Sequence, residues 1–167
     1  MRAKAASPAP ASAPEASSGE ATAQPVLQKD NNQSAQFSYT VSTLKLLSST
    51  TATPDGKDIW RFGEHGGIIH SQDGGSTWKS QTAPLATTLT SGSAPSNKVC
   101  WIAGAAGALL RTTDGGKRWQ IVITPIAADL GGVQASDDRH ATIWDVGNHA
   151  RYVTSDGGAT WRQAARE

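Results

Sequence analysis

Three stretches decide the fold: Ser71-Gln72-Asp73-Gly74-Gly75-Ser76-Thr77-Trp78, Thr112-Thr113-Asp114-Gly115-Gly116-Lys117-Arg118-Trp119 and Thr154-Ser155-Asp156-Gly157-Gly158-Ala159-Thr160-Trp161. Their aspartates follow one another at 41 and 42 residues. Each is preceded by a second motif: Trp60-Arg61-Phe62-Gly63, Trp101-Ile102-Ala103-Gly104 and Trp144-Asp145-Val146-Gly147. The two tryptophans of a unit lie 18, 18 and 17 residues apart, so the chain's 6 tryptophans read as two positions of one repeat. A period near 40 is that of a four-stranded blade.

Each unit has the parts of a blade. In the second, Val99–Ala103, Ala108–Thr112 and Trp119–Thr124 are short β-favouring runs, and Thr87–Ser93 is a small, polar innermost strand. Pro95-Ser96-Asn97, Gly104–Gly107 and Asp114-Gly115-Gly116 separate them as turns. No segment sustains a 3.6-residue apolar period, which predicts almost no helix. The fold class is therefore all-β, a partial propeller of about three blades over 45–82, 83–125 and 126–165.

The eight-residue box reads as a structural turn. The aspartate accepts hydrogen bonds from turn N–H groups that follow it. Gly74 and Gly75, like Gly115 with Gly116 and Gly157 with Gly158, supply positive φ. Ser71 and Thr77, Thr112, and Thr154 with Thr160 satisfy further groups across the turn. Trp78, Trp119 and Trp161 bury their indoles between neighbouring hairpins. Arg118 stands where the other units have threonine, so the second turn is expected to lose one side-chain bond.

These motifs resemble the Asp-box, or bacterial neuraminidase, repeat of β-propellers. They are most similar to the photosystem II stability and assembly factor family and its bacterial relatives, over residues 45–165. The resemblance implies a structural role for the box residues and a scaffolding role for the domain, with reaction-centre proteins as partners in photosynthetic members. It also implies an extracytoplasmic setting. An arginine-rich binding patch of those relatives is matched here only by scattered Arg61, Arg111, Arg151 and Arg162.

The rest of the chain narrows the function classes. It has 167 residues, 17% of them charged, and a formal net charge of +1. That balance argues against a nucleic-acid surface. No apolar run is long enough to span a bilayer as a helix. Cys100 is the single cysteine, so there is no internal disulfide, and it reads as a small buried residue. His65 and His149 read as solvated turn residues at matching positions, and neither a metal nor a cofactor is expected. Arg111, Lys117 and Arg118 cluster around the second box as candidate contacts for an acidic partner. A sialidase-like glycosidase needs a tyrosine nucleophile with a glutamate partner. Tyr39, Tyr152 and Glu64 make no such constellation, and the other glutamates lie towards the termini. A carbohydrate-binding module needs exposed aromatic platforms, and all six tryptophans read as core.

Residues 1–25, rich in Ala, Ser and Pro, read as a disordered linker without a signal-type apolar run. A linker implies something to link, so the expectation is either that the chain is the C-terminal part of a longer protein or that its start is misplaced. Residues 26–44 read either as a degenerate half-blade, with Asp30-Asn31-Asn32 as its turn and Phe37–Val41 as a strand, or as ordered linker. Three blades do not close a ring, since propellers need roughly 4–8. Completion is expected from a second copy of the chain or from further blades.

Overall fold

The computed structural model describes residues 47–165. The linker and half-blade expectations fall on residues outside that range. Among the described residues, twelve strands form three antiparallel four-stranded sheets, each a meander in chain order. Blade 1 comprises β1 (Ser49–Ala52), β2 (Ile59–Phe62), β3 (Ile68–Ser71) and β4 (Lys79–Gln81). Blade 2 comprises β5 (Leu89–Ser93), β6 (Cys100–Gly104), β7 (Leu109–Thr112) and β8 (Gln120–Ile121). Blade 3 comprises β9 (Leu130–Ala135), β10 (Ala141–Asp145), β11 (Arg151–Thr154) and β12 (Arg162–Gln163). The first strands gather at one rim, with β1 against β5 and β5 against β9. The fold is therefore three blades of a propeller. Among the described residues, helix is confined to two single 3₁₀ turns, Glu64–Gly66 and Ala105–Gly107.

No blade buries itself; the core lies in the two joints. Between blades 1 and 2, Trp60, Phe62 and Ile68 face Leu89, Cys100, Ile102 and Leu110. Between blades 2 and 3, Trp101, Ala103 and Leu109 face Leu130, Val133, Ala141 and Ile143. The period-2 alternation of a strand produces this, since successive residues of β6 feed opposite joints. Close approach needs glycine at Gly92, where a Cβ would stand 2.8 Å from the Phe62 ring. Cys100 is buried in the first joint, and burial pushes its thiol well above the usual range.

The strand registers correct two sequence readings. Ser71, Thr112 and Thr154, the first residues of the boxes, pair with Ile59, Cys100 and Ala141. Counting from there, Trp60 and Trp101 are equivalent, but the third blade has Thr142 at that place. Trp144 takes the position of Phe62 and Ala103, two residues further along the same face. The third hairpin is one residue longer, Ala141 to Thr154 against Ile59 to Ser71 and Cys100 to Thr112, which the sequence conceals because the two-place shift of Trp144 leaves the Trp-to-Trp spacing changed by only one residue. The left-handed turn position is likewise His65 (φ 56°) and Ala106 (φ 53°), but Asn148 (φ 52°) rather than His149 in blade 3. The outer strand read at Trp119–Thr124 is shorter, with Gln120–Ile121 alone in regular pairing.

The tryptophans are also unequal. Trp60, Trp101 and Trp119 are buried, whereas Trp78, Trp144 and Trp161 are half-buried. Trp119 and Trp161 reach back to the preceding blade, donating Nε1–H to Gln81 Oε1 at 3.0 Å and to the Ile123 carbonyl at 2.8 Å. Trp78 donates to its own turn, at Gly75 O.

Trp119→Ala empties the first joint and strands Gln81. It should cost about 3–5 kcal/mol, the range for deleting a large core aromatic, read from the midpoint of urea unfolding.

His70 supplies a pH dependence. It is buried in the first joint, stacks on Trp60 at 4.0 Å and bonds Asp58 Oδ1 through Nε2 at 2.9 Å. Burial holds its pKa below 6.5, and the Asp58 carboxylate offsets only part of that. The unfolded chain therefore takes up a proton at a higher pH than the folded one. Stability is full above about pH 6.5 and falls as pH drops towards the lowered folded value. Thermal melts from pH 7.5 to 5 should show Tm falling in the wild type and a flatter profile in His70→Gln.

Candidate functional site

The box turns are built alike. The first hydroxyl donates to the aspartate, Ser71 to Asp73 at 2.7 Å, Thr112 to Asp114 at 2.9 Å and Thr154 to Asp156 at 2.8 Å. The same hydroxyl oxygen accepts the N–H of Gly75, Gly116 or Gly158. Gly74, Gly115 and Gly157, all at positive φ, donate to Lys57 O, Lys98 O and Arg139 O at 2.9 Å each. This ties every box to the loop between the first two strands of its own blade. The aspartate then accepts the N–H of residue 77, 118 or 160.

The fourth bond differs between the units. Thr77 and Thr160 donate their hydroxyls to Asp73 and Asp156 at 2.6 and 2.5 Å. The second turn does not lose this bond, contrary to the expectation. Arg118 replaces it with Nε to Asp114 Oδ2 at 3.3 Å, on a side chain that is 89% exposed. A longer bond from a solvated side chain is the weaker one. The hydroxyl of Thr77 is the main cause that lowers Asp73 to about 2, and that of Thr160 holds Asp156 well below the carboxylate range. Asp114 is lowered mainly by the Arg118 N–H.

The three candidate cations part company. Arg111 is turned into the second joint. Its Nη1 donates to Asp138 O at 2.9 Å and Gly157 O at 2.8 Å, and its guanidinium lies 5.2 Å from the Trp101 ring centre. It ties blade 2 to the box of blade 3. Lys117 and Arg118 are exposed. With Thr82, Pro84 and Gln120 they rim a groove of about 530 Å³ beside the second box.

One residue escaped the sequence reading. Gln81 donates Nε2–H to Gly115 O at 3.0 Å while accepting from Trp119, so it bridges β4 to the next box. No local pattern marks it, because both partners belong to the following unit. Among the described residues, no three His, Cys, Asp or Glu side chains are placed to hold a metal. No helix there is long and apolar enough to cross a membrane.

Arg118→Thr should restore the fourth bond and draw the Asp114 pKa down towards the value of about 2 found for Asp73. Carboxyl chemical shifts followed by NMR through an acid titration would show it, and an unchanged Asp114 would contradict it.

A family model described as "Photosynthesis system II assembly factor YCF48" matches residues 29–167. Among solved structures, one described as "YCF48 from Cyanidioschyzon merolae" is 26% identical with a TM-score of 0.61, covering 71% of this chain and 39% of that one. Another, "YCF48 bound to D1 peptide", is 24% identical with a TM-score of 0.58, covering 71% and 43%. An ancestral GH74 enzyme shares the fold at 17% identity and a TM-score of 0.53, covering 71% and 18%. No curated protein matches the sequence. The described blades thus align with about two fifths of the length of the YCF48 structures. The chain belongs to the photosystem II assembly factor YCF48 family.

Proposed function

We propose that the chain is a non-catalytic binding module that holds a segment of a protein partner during assembly of a larger complex, as members of its family are named for doing. The observation that carries this is the family match over residues 29–167, and the D1 peptide held by a related structure supports it. The basic groove beside the second box is the proposed contact. Lys117 and Arg118 stand in solvent there, and the fold uses only one weak bond from Arg118. The boxes themselves act as turns, because every aspartate spends its oxygens on its own hairpin.

The alternatives find less support. Tyr152 packs in the joint between blades 2 and 3, and Glu64 sits in a turn of blade 1, so they do not form a glycosidase pair. A sugar platform would need a free indole face. The Trp144 ring lies on Gly132, where a Cβ would be 2.3 Å away, and Arg151 stands over it at 5.4 Å. The outer face of blade 3 also speaks against ring completion by a second copy. Thr142 and Val153 occupy the places that Trp60 with His70 and Trp101 with Arg111 hold at the two joints.

Fluorescence anisotropy with a labelled D1 peptide tests the reading. Saturable binding is expected, weakened severalfold in the double variant Lys117→Glu, Arg118→Glu and at raised ionic strength, as surface charges behave. No binding by the wild-type chain would refute it.

A further inference from the structure

The blades are three copies of one design, so a position where a single copy departs marks something the fold does not require. The outermost strand is such a place. Ser80, Ile121 and Gln163 are equivalent, pairing with Ile69, Leu110 and Tyr152. Two residues on stand Thr82, Ile123 and Ala165. Blades 1 and 3 are polar or small there. Blade 2 has isoleucine twice, and the two side chains are 47% and 78% exposed. The adjoining turn departs in the same sense, with Ala105-Ala106 in place of Glu64-His65 and Gly147-Asn148. Ile121, Ile123, Ala105 and Ala106 line a groove of about 380 Å³ with Leu85 and Ile126. Exposed aliphatic surface that the core does not use points to contact with another chain.

The backbone at this place is a sheet edge. β8 is the last strand of its blade. Val122 N–H donates to Leu109 O at 2.8 Å, so the alternation of an antiparallel ladder turns the peptide groups of Ile121 away from β7. The two grooves follow one another along this strand. Lys117, Arg118 and Gln120 lie at its beginning, and Ile121 to Thr124 at its end.

Resting on the reading of the chain as a binder of a protein segment, we infer that the free edge of β8 takes an extended peptide as an added antiparallel strand. The peptide sets apolar side chains beside Ile121 and Ile123. Its direction follows from the strand's: running opposite to β8, it brings its C-terminal end to Lys117 and Arg118, so that end is acidic. A second copy of the chain fits less well. Its own β8, laid antiparallel, brings Thr124 and Pro125 rather than a carboxylate to those cations.

The probe is a fluorescein-labelled decapeptide of alternating Val and Thr ending in Glu-Glu, titrated by anisotropy beside the D1 peptide. The expected result is saturable binding that falls about tenfold or more in the double variant Ile121→Lys, Ile123→Lys, with Tm unchanged. Moving Glu-Glu to the amino end should also weaken it. Equal binding of both peptides to the wild type and the lysine variant would overturn the edge while leaving the partner reading intact. Failure of both peptides to bind the wild type would overturn both. A wild-type dimer by light scattering that the lysine variant abolishes would overturn the peptide in favour of a second copy.

Discussion

A blade of this protein cannot shelter its own apolar face, and the whole structure follows from that constraint. Each sheet is one layer thick, so Trp60, Phe62 and Ile68 become buried only when blade 2 lies against them, and Trp101 and Leu109 only when blade 3 does. Some polar bonds cross the joints between the inner strands, as from Ser49 to Thr90 and between Ser93 and Ala135, while others engage the box hairpins or their flanks. Gln81 and Arg111 reach forward to box carbonyls, while Trp119 and Trp161 reach back to the preceding blade. The joint therefore reads the position of the neighbouring turn as well as its apolar area.

This explains why the boxes are rigid and so nearly alike. A carbonyl that must meet a guanidinium or an amide across a joint cannot wander. The hydroxyl–carboxylate–glycine lattice fixes it within its own hairpin first. The second box tolerates Arg118 because its carbonyl side, at Gly115, is held by Gln81 from the other blade. The same substitution puts a cation in solvent beside a groove. A departure that slightly loosens the turn thus adds chemistry to the surface.

Proteins built of repeats carry their own internal controls. What all three blades share is explained by folding: the positive φ of the glycines, the box hydroxyls, the apolar alternation of the middle strands. What one blade has alone asks for another cause. By that criterion the proposed binding chemistry falls on blade 2, with Lys117 and Arg118 at one end of β8 and Ile121 with Ile123 at the other. Blade 3 has an outer face of different make-up, where Arg151 stands over Trp144 and threonine and valine replace the joint pair.

The spacing of the tryptophans and Asp-Gly-Gly triplets was enough to establish the number of blades, the strand-rich fold and the chemistry of each box, because those depend on contacts within a few residues. Reading Arg111 as a surface cation, placing Trp144 beside Trp60 and Trp101, and treating every indole as core all went astray at one level. Each depends on which neighbour lies across a joint or how many residues a hairpin spends, and local pattern is silent on both. Gln81 escaped notice for the same reason, since its partners lie 34 and 38 residues downstream. Periodicity determines what a unit is; only the packing of one unit on the next decides which of its side chains are consumed and which are left facing solvent.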